Sequence, residues 1–281
     1  MSDAPAPLDP KDLETWRTWI GKVEIRDEVL DPESLRRFAA AVGADLDVER
    51  ARPSLAHWAF FLPVAPGSEL GPDGHPKRGG FLPPVTLPRR MFASSDMTFG
   101  AALRLGQAAR MTSTIADVRR RSGKSGDLVF VEIERVITQG AQTCVSERQT
   151  VVYRGEGGRT PAVEPVEQTP AEGDLLWTPG TVDLFRFSAV TFNSHRIHYD
   201  QPYTTEVEGY PGLVVHGPFT ATKLHAFAQV RAKAPLKSFA FRAVAPLFVG
   251  QPIRLTGGEG AGEVRALRCD GATSMSATAG V

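Results

Sequence analysis

The chain has 281 residues, which at roughly 100–150 residues per domain is about two domains. Hydrophobic residues make up 42% and charged residues 23%, enough apolar content to build a core, so intrinsic disorder is excluded for the bulk of the chain. Lys+Arg and Asp+Glu both number 32. Without a basic excess, neither a nucleic acid nor an anionic membrane surface is expected as a general partner.

Residues 1–10 read as a loose tail. The start has no basic segment followed by an apolar one, so no signal peptide is expected. No apolar stretch approaches the ~20 residues of a membrane span, and the expected location is cytoplasmic. Leu13, Trp16 and Ile20 suggest a short helix. Asp31-Pro32 opens a second, with Asp as N-cap and Pro at the first helical position. Leu35, Phe38, Ala39 and Val42 follow at i, i+3, i+4 and i+7, and Gly43 closes it. Residues 63–88 are rich in Pro and Gly and read as a long ordered loop.

Strand-like runs cover 111–118, 128–137 and 143–153. In the second run Val129, Val131 and Ile133 alternate with Phe130, Glu132 and Glu134, which gives one apolar face. The run Arg119, Arg120, Arg121, Lys124 reads as a solvated loop. Residues 155–174, rich in Gly, Pro, Glu and Thr, read as an inter-domain linker. Pro218 starts a helix reaching about Arg231, with Leu224, Phe227 and Ala228 in one row. Further strand-like runs cover 252–256, 263–269 and 273–279. Cys144 and Cys269 each lie in such a run and read as buried reduced thiols.

These parts fall into an internal repeat. Ala101-x-Leu103-x-Leu105-Gly106-Gln107-x-x-Arg110 matches Ala245-x-Leu247-x-Val249-Gly250-Gln251-x-x-Arg254, with Gly106 and Gly250 144 residues apart. Three strand-like runs with Gly-containing gaps follow each copy, so each half reads as helices before an antiparallel sheet.

The chemistry concentrates in residues 193–217. Four of the six histidines lie between His195 and His225. His195 and His198 lack the spacing of a zinc hydrolase, so no metal is expected. No nucleophile elbow, P-loop or dinucleotide fingerprint occurs, and no cofactor is expected. General acid–base chemistry remains. A His near neutrality takes and returns a proton, and the amide of Asn193 can hold a water. Gly217-Pro218 reads as a helix N-terminus whose free N–H groups suit a developing oxyanion. His195, His216 and His225 read first as structural. Arg196 either binds a carboxylate or pairs with Asp200.

The run Asn193-Ser194-His195-Arg196-Ile197-His198-Tyr199-Asp200, with Val215-His216-Gly217-Pro218, resembles the hydratase motif of the MaoC-like dehydratases, D-x-N-P-(L/I/V)-H-x-D. Residues 187–200, 68–76 and 78–84 are similar to the mesaconyl-CoA (3-methylfumaryl-CoA) hydratase branch. The resemblance covers nearly all of residues 12–280. It implies an α+β double hot-dog, each unit a curved antiparallel sheet around a long helix. It implies an acyl-CoA thioester partner, with water added across the double bond to give citramalyl-CoA. His198 takes the place of the catalytic His. Asn193 falls where the family has its Asp, which leaves His198 as the one strong base, with Asn193 orienting the water and Gly217 donating to the carbonyl. His195, Arg196, Tyr199, Asp200 and His216 are candidates to contact substrate, and Arg196 or Arg186 to read a distal carboxylate.

Shifted back by 144, His198 lands on Ser54 and Gly217 on Asp73, so the first half is expected to have lost its site. Its central helix is expected to be degenerate, because 74–87 is too rich in Gly and Pro. The expected division is 11–154 as a substrate-binding hot-dog, 155–174 as linker and 175–281 as the catalytic hot-dog. Phe60, Phe61 and Phe81 would wall the acyl group, and Arg89 and Arg90 would meet the CoA phosphates. Monomer and homodimer both fit. The alternatives are a 3-hydroxyacyl-thioester dehydratase on CoA or carrier protein, a thioesterase, or a non-catalytic acyl-CoA binder.

Overall fold

The computed structural model describes residues 8–123, 126–167 and 169–281. The first half runs α1 (Pro10–Arg17), β1 (Val23–Val29), α2 (Pro32–Ala41), β2 (Arg89–Phe99), β3 (Ala108–Gly123), β4 (Gly126–Gln139) and β5 (Gln142–Arg154). The second runs β6 (Leu175–Trp177), α3 (Thr181–Val190), α4 (Gly217–Ala232), β7 (Ser238–Ala243), β8 (Ile253–Gly257), β9 (Glu263–Leu267) and β10 (Thr273–Gly280). All ten strands form one antiparallel sheet in the order β1-β3-β4-β5-β2-β7-β10-β9-β8-β6. The order reads the same from either end when β1 is exchanged for β6, β2 for β7, and β3, β4, β5 for β8, β9, β10. This is the antiparallel double hot-dog arrangement.

The repeat has a local cause. Gly106 and Gly250 both adopt left-handed backbone, φ +71° and +77°, where a side chain is strained. Each turns the chain so that its N–H donates to a carbonyl just ahead of α2 or α3, Leu30 O and Pro179 O, both at 2.8 Å. The cap of α2 is as its sequence dictates. Asp31 accepts from Glu33 N and Ser34 N, and Pro32 takes the first position.

The halves differ in what lies against the sheet. In the second, α4 is buried and packs Phe219, Leu224 and Ala228 over Phe239, Val264, Ala266, Met275 and Ala277. Among the described residues the first half has no counterpart to α4. Between α2 and β2 the chain runs through short turns at Ala56–Ala59 and Gly67–Glu69, and Pro and Gly keep 70–88 out of helix.

One expectation needs correction, and two further segments make contacts that the sequence did not announce. The basic run is strand, not solvated loop. Arg119 lies on β3 and pairs with Asp117 and Glu132, and Arg120 pairs with Asp127; Lys124 lies outside the described residues. Within the expected tail, Leu8 donates to Asp127 Oδ2 at 2.8 Å and accepts from Arg120 at 2.9 Å, while residues 1–7 lie outside the description. The segment 155–174 has no regular structure, yet it is stitched to the second half. Thr160 N donates to Gly209 O, Val166 N to Cys269 O, and Gln251 Nε2 to the carbonyl of buried Val163; Gln168 is not described. Both cysteines are buried.

Candidate active site

The site is built on the loop between α3 and α4. Phe192, at φ +50°, ends α3. Asn193 turns the chain back, its N–H donating to Ser188 O at 2.8 Å and its Oδ1 accepting from His195 N at 3.0 Å. A 3₁₀ turn over Arg196–His198 follows. Arg196 donates from Nε and Nη2 to Asp200 Oδ2, at 2.9 and 2.7 Å, and stacks 4.0 Å over Tyr203. Val214 N donates to Ile197 O at 2.9 Å and returns the chain to His216, the N-cap of α4.

A loop of the first half clamps this segment. Arg196 N donates to Asp73 O, Arg196 Nη1 to Pro72 O, and Ser194 Oγ to Gly74 O. The approach at Gly74 leaves no room for a side chain, because a Cβ there would lie 1.9 Å from Ser194 O. The clamp also delivers His75, whose ring meets Asp73 Oδ2 at 3.0 Å.

Four imidazoles then form a row. Ring centroids are 4.0 Å apart for His75 and His195, 5.4 Å for His195 and His198, and 3.6 Å for His198 and His216. His216 Nε2 meets Ser188 Oγ at 2.8 Å. Burial disfavours the charged form of each ring. It lowers His198 to about 4, against a bond to Val214 that raises it. Burial likewise lowers His75, His195 and His216, and all four are neutral at pH 7. His198 Nδ1 lies 2.7 Å from Val214 O. A carbonyl only accepts, so Nδ1 carries the hydrogen and Nε2 keeps its lone pair.

A cavity of about 750 Å³ opens beside the row, between the halves. Trp58, Phe60, Phe61, Phe92 and Phe187 give it apolar walls. Asn193, Ser188, Tyr199 and His75 face it, and Pro218 brings the start of α4 to its rim. No side chain caps that helix start, so its first amides are free to donate.

The structure does not gather every expected site residue here. Asn193 and Tyr199 line the cavity, and Gly217 is the first residue of α4 beside it. His198 lies within the row, between His195 and His216. Arg196 and Asp200 are bound to each other, so Arg196 is a strut of the loop and does not line the cavity. Arg186 is exposed on α3. Phe81 packs away from the cavity, against the cluster of Trp16, Val85 and Tyr153. Arg89 and Arg90 line a second cavity of about 480 Å³ that shares His75 and Pro76 with the first, and there Arg89 donates to the Glu208 carbonyl at 2.7 Å and pairs with its carboxylate.

Sequence reasoning missed His75, Trp58, Ser188 and Arg135 as cavity residues. His75 and Ser188 lie in the stretches 68–76 and 187–200 that carry the resemblance, and Arg135 keeps the inward parity of Val129, Val131 and Ile133 along β4.

Comparison with known proteins gives the family and the fold. Residues 55–249 match the family model described as hydroxyacyl-thioester dehydratase type 2. The chain belongs to the hydroxyacyl-thioester dehydratase type 2 family. It is 44% identical, over 94% of its length and 96% of the relative's, to a protein of Chloroflexus aurantiacus named mesaconyl-C(4)-CoA hydratase. It is 26% identical, over 71% of its length and 75% of the relative's, to the mitochondrial hydroxyacyl-thioester dehydratase type 2 of Schizosaccharomyces pombe. Among solved structures, a MaoC-like dehydratase matches with a TM-score of 0.67 at 14% identity, over 94% of this chain and 98% of that one. HtdX of Mycobacterium tuberculosis matches with 0.65 at 16%, over 92% and 100%. A further Mycobacterium tuberculosis protein, described as having a double hotdog fold, matches with 0.54 at 12%, over 92% and 95%. These structures show the fold.

In this member of the dehydratase type 2 family, the His75 imidazole, the Asn193 carboxamide and the uncapped start of α4 meet around one cavity, and the neutral His198 stands two rings along the row from His75, outside the lining. Together they can deprotonate a water, hold it, and stabilise an oxyanion. Among the described residues, Asp73, His75 and His195 could also bring ligand atoms within 4.8 Å of one another. Asp73 and His75 already satisfy each other there.

Proposed function

We propose that the chain is a hydro-lyase that adds water to 3-methylfumaryl-CoA (mesaconyl-C4-CoA), giving citramalyl-CoA. The observation that carries this is His198, neutral, with Nδ1 bound to Val214 O and Nε2 unprotonated. The 44% identity to a named mesaconyl-C(4)-CoA hydratase supports the substrate.

The thioester carbonyl accepts a hydrogen bond from the Gly217 amide at the start of α4. This polarises the conjugated double bond and makes the β-carbon electrophilic. Asn193 Oδ1 is held by His195 N, so its Nδ2 is the group left to donate to a water. His198 Nε2 takes a proton from that water as its oxygen bonds to the β-carbon. The electron pair of the double bond moves to the enolate oxygen. The His198 imidazolium then returns the proton to the α-carbon, which restores the thioester and the neutral base. Dehydration is the reverse.

In this reading residues 175–281 carry the chemistry, residues 11–154 wall the acyl group, and 155–174 join them, with one site per chain. The halves pair through β2 and β7, so a monomer has a complete site. Among the described residues no helix is long and apolar enough to cross a membrane. The buried thiols suit a reducing compartment such as the cytoplasm.

The test is loss of enoyl-thioester absorbance with 3-methylfumaryl-CoA and with crotonyl-CoA, with free thiol assayed in parallel. Hydration without thiol release, faster on 3-methylfumaryl-CoA, is expected. Thiol release would establish a thioesterase instead. Turnover of crotonyl-CoA alone would favour the monocarboxylic dehydratase reaction.

A further inference from the structure

Arg135 sits where the fold calls for an apolar residue. Along β4 the inward positions are Val129, Val131, Ile133, Arg135 and Ile137, and the four aliphatic ones are buried. The matching face of the second half, Val264, Ala266, Met275 and Ala277, is apolar because α4 packs on it. In the first half Trp16 of α1 covers Val129, Val131 and Ile133, while Arg135, further along the strand, lines the cavity that Asn193 and Ser188 also line.

The guanidinium has no hydrogen-bonding partner there, although the Glu147 carboxylate across the strand pair partly offsets its charge. Among the described residues Arg135 makes no hydrogen bond or ion pair, and its Nε is shut off from solvent. The nearest candidate, Glu147, lies opposite it in register on β5 but is engaged elsewhere. It accepts from Ser95 Oγ at 2.7 Å and Gln149 Nε2 at 2.8 Å, and meets His57 Nε2 at 3.5 Å. Arg26, the other guanidinium on the cavity wall, is satisfied by Glu24 at 2.8 Å and the Phe61 carbonyl at 2.9 Å. Of the two cations on the cavity wall, Arg26 is hydrogen-bonded and Arg135 is not. An unpaired guanidinium in an aromatic-walled cavity is costly unless an anion arrives. Its planar fork matches a carboxylate in two parallel hydrogen bonds.

We propose that Arg135 is the specificity residue that binds the free carboxylate of a dicarboxylic acyl thioester. This rests on the hydratase reading above and names its acyl specificity. In 3-methylfumaryl-CoA the carboxylate is borne by the carbon that water attacks, so anchoring it fixes the β-carbon against the water held by Asn193. A neutral acyl group in its place leaves the guanidinium unpaired, which is how such a site rejects an analogue.

The test compares 3-methylfumaryl-CoA with 3-methylcrotonyl-CoA, in which a methyl replaces the carboxylate. In Arg135→Gln, kcat/KM on the first is expected to fall about 10³-fold, the loss of a buried charge-assisted pair. The second is expected to change less than about threefold, and Arg135→Lys to recover part of the loss. Equal losses on both substrates, or an unchanged ratio, overturn the proposal. If the wild-type protein turns over neither substrate, the hydratase reading fails. The specificity reading is then decided by calorimetric binding of the two thioesters: a wild-type preference for the carboxylate that Arg135→Gln abolishes upholds it, and its persistence refutes it. If the variants do not fold, phenylglyoxal labelling of the wild type decides. Protection of Arg135 by 3-methylfumarate supports the proposal, and unprotected labelling overturns it.

Discussion

Gly217→Ala isolates the start of α4 from everything else in the site. Gly217 does not use left-handed backbone. A Cβ built on it would meet Phe92 O at 3.8 Å, an ordinary contact. The variant therefore folds without displacing a neighbour. Alanine is the better helix former by up to about 1 kcal/mol, so the unfolding midpoint should hold or rise by about 2–4 °C. Activity should go the other way. The new methyl stands beside the one amide that Pro218 cannot duplicate, and it fills the space a thioester carbonyl needs. The amide itself is retained, so the loss from blocked access is at most the worth of one oxyanion donor, about 2.7–4 kcal/mol, or about 10²–10³ in kcat. The assay pairs enoyl-thioester turnover with a thermal melt. Full kcat in a variant that melts no lower would show that the carbonyl does not approach this amide, and the oxyanion assignment would fall.

His198→Ala should lose about 10²–10⁴ in kcat, the worth of a general base, with its circular dichroism spectrum retained; near-normal turnover would remove His198 from the mechanism. The acid limb of kcat/KM should fall near pH 4, where His198 protonates; a limb at the ordinary histidine value would mean that this imidazole is solvated. Stability should also be acid-sensitive. The folded pKa values of His75, His195, His198, His216 and His225 are all lowered by burial, so the unfolded chain takes up protons first. Their contribution is complete above about 6.5 and is lost as pH falls from there through about 4, at about 1.4 kcal/mol per pH unit for each ring still neutral in the fold. Denaturant titrations from pH 7 to 4.5 measure this, and a flat profile would contradict the buried row. Gly74→Ala should lower stability and activity together, because the clamp on Ser194 has no space for a methyl; a wild-type melt would show that the two loops are not in contact.

What the sequence made legible follows from how local each signal is. The caps of α2 and the Gly217-Pro218 start of α4 are written in adjacent residues. The strands β3–β5 and β8–β10 follow the repeat and alternate. α3 was not legible as a helix because its sequence TVDLFRFSAV leaves Val182 and Phe185 each 66% exposed, which blurs any apolar stripe. β2 opens with two arginines and carries a register shift between Phe92 and Ser94 that breaks its alternation. β1 alternates well but is inverted. Val23, Ile25 and Val29 are exposed, and Arg26 is turned to the cavity. The candidate site was legible where it is one contiguous motif, from Asn193 to His198. The fourth imidazole was not, since His75 comes from the other half and nothing local announces that it will stack on His195. Of the two readings of Arg196, the pair with Asp200, four residues on, is the contact present in the structure.

The mirrored strand order also has a consequence for how such a protein can change. Were each half a separate identical chain, every substitution would be made twice, once beside each of two equivalent sites. An arginine suited to one acyl pocket would then also appear beneath the helix of its twin, where packing demands an aliphatic residue. Joining the halves in one polypeptide releases that constraint. Arg135 can stand on one inner face while Val264 and Ala266 line the other, so polarity beside the cavity is tuned without loosening the seat of α4.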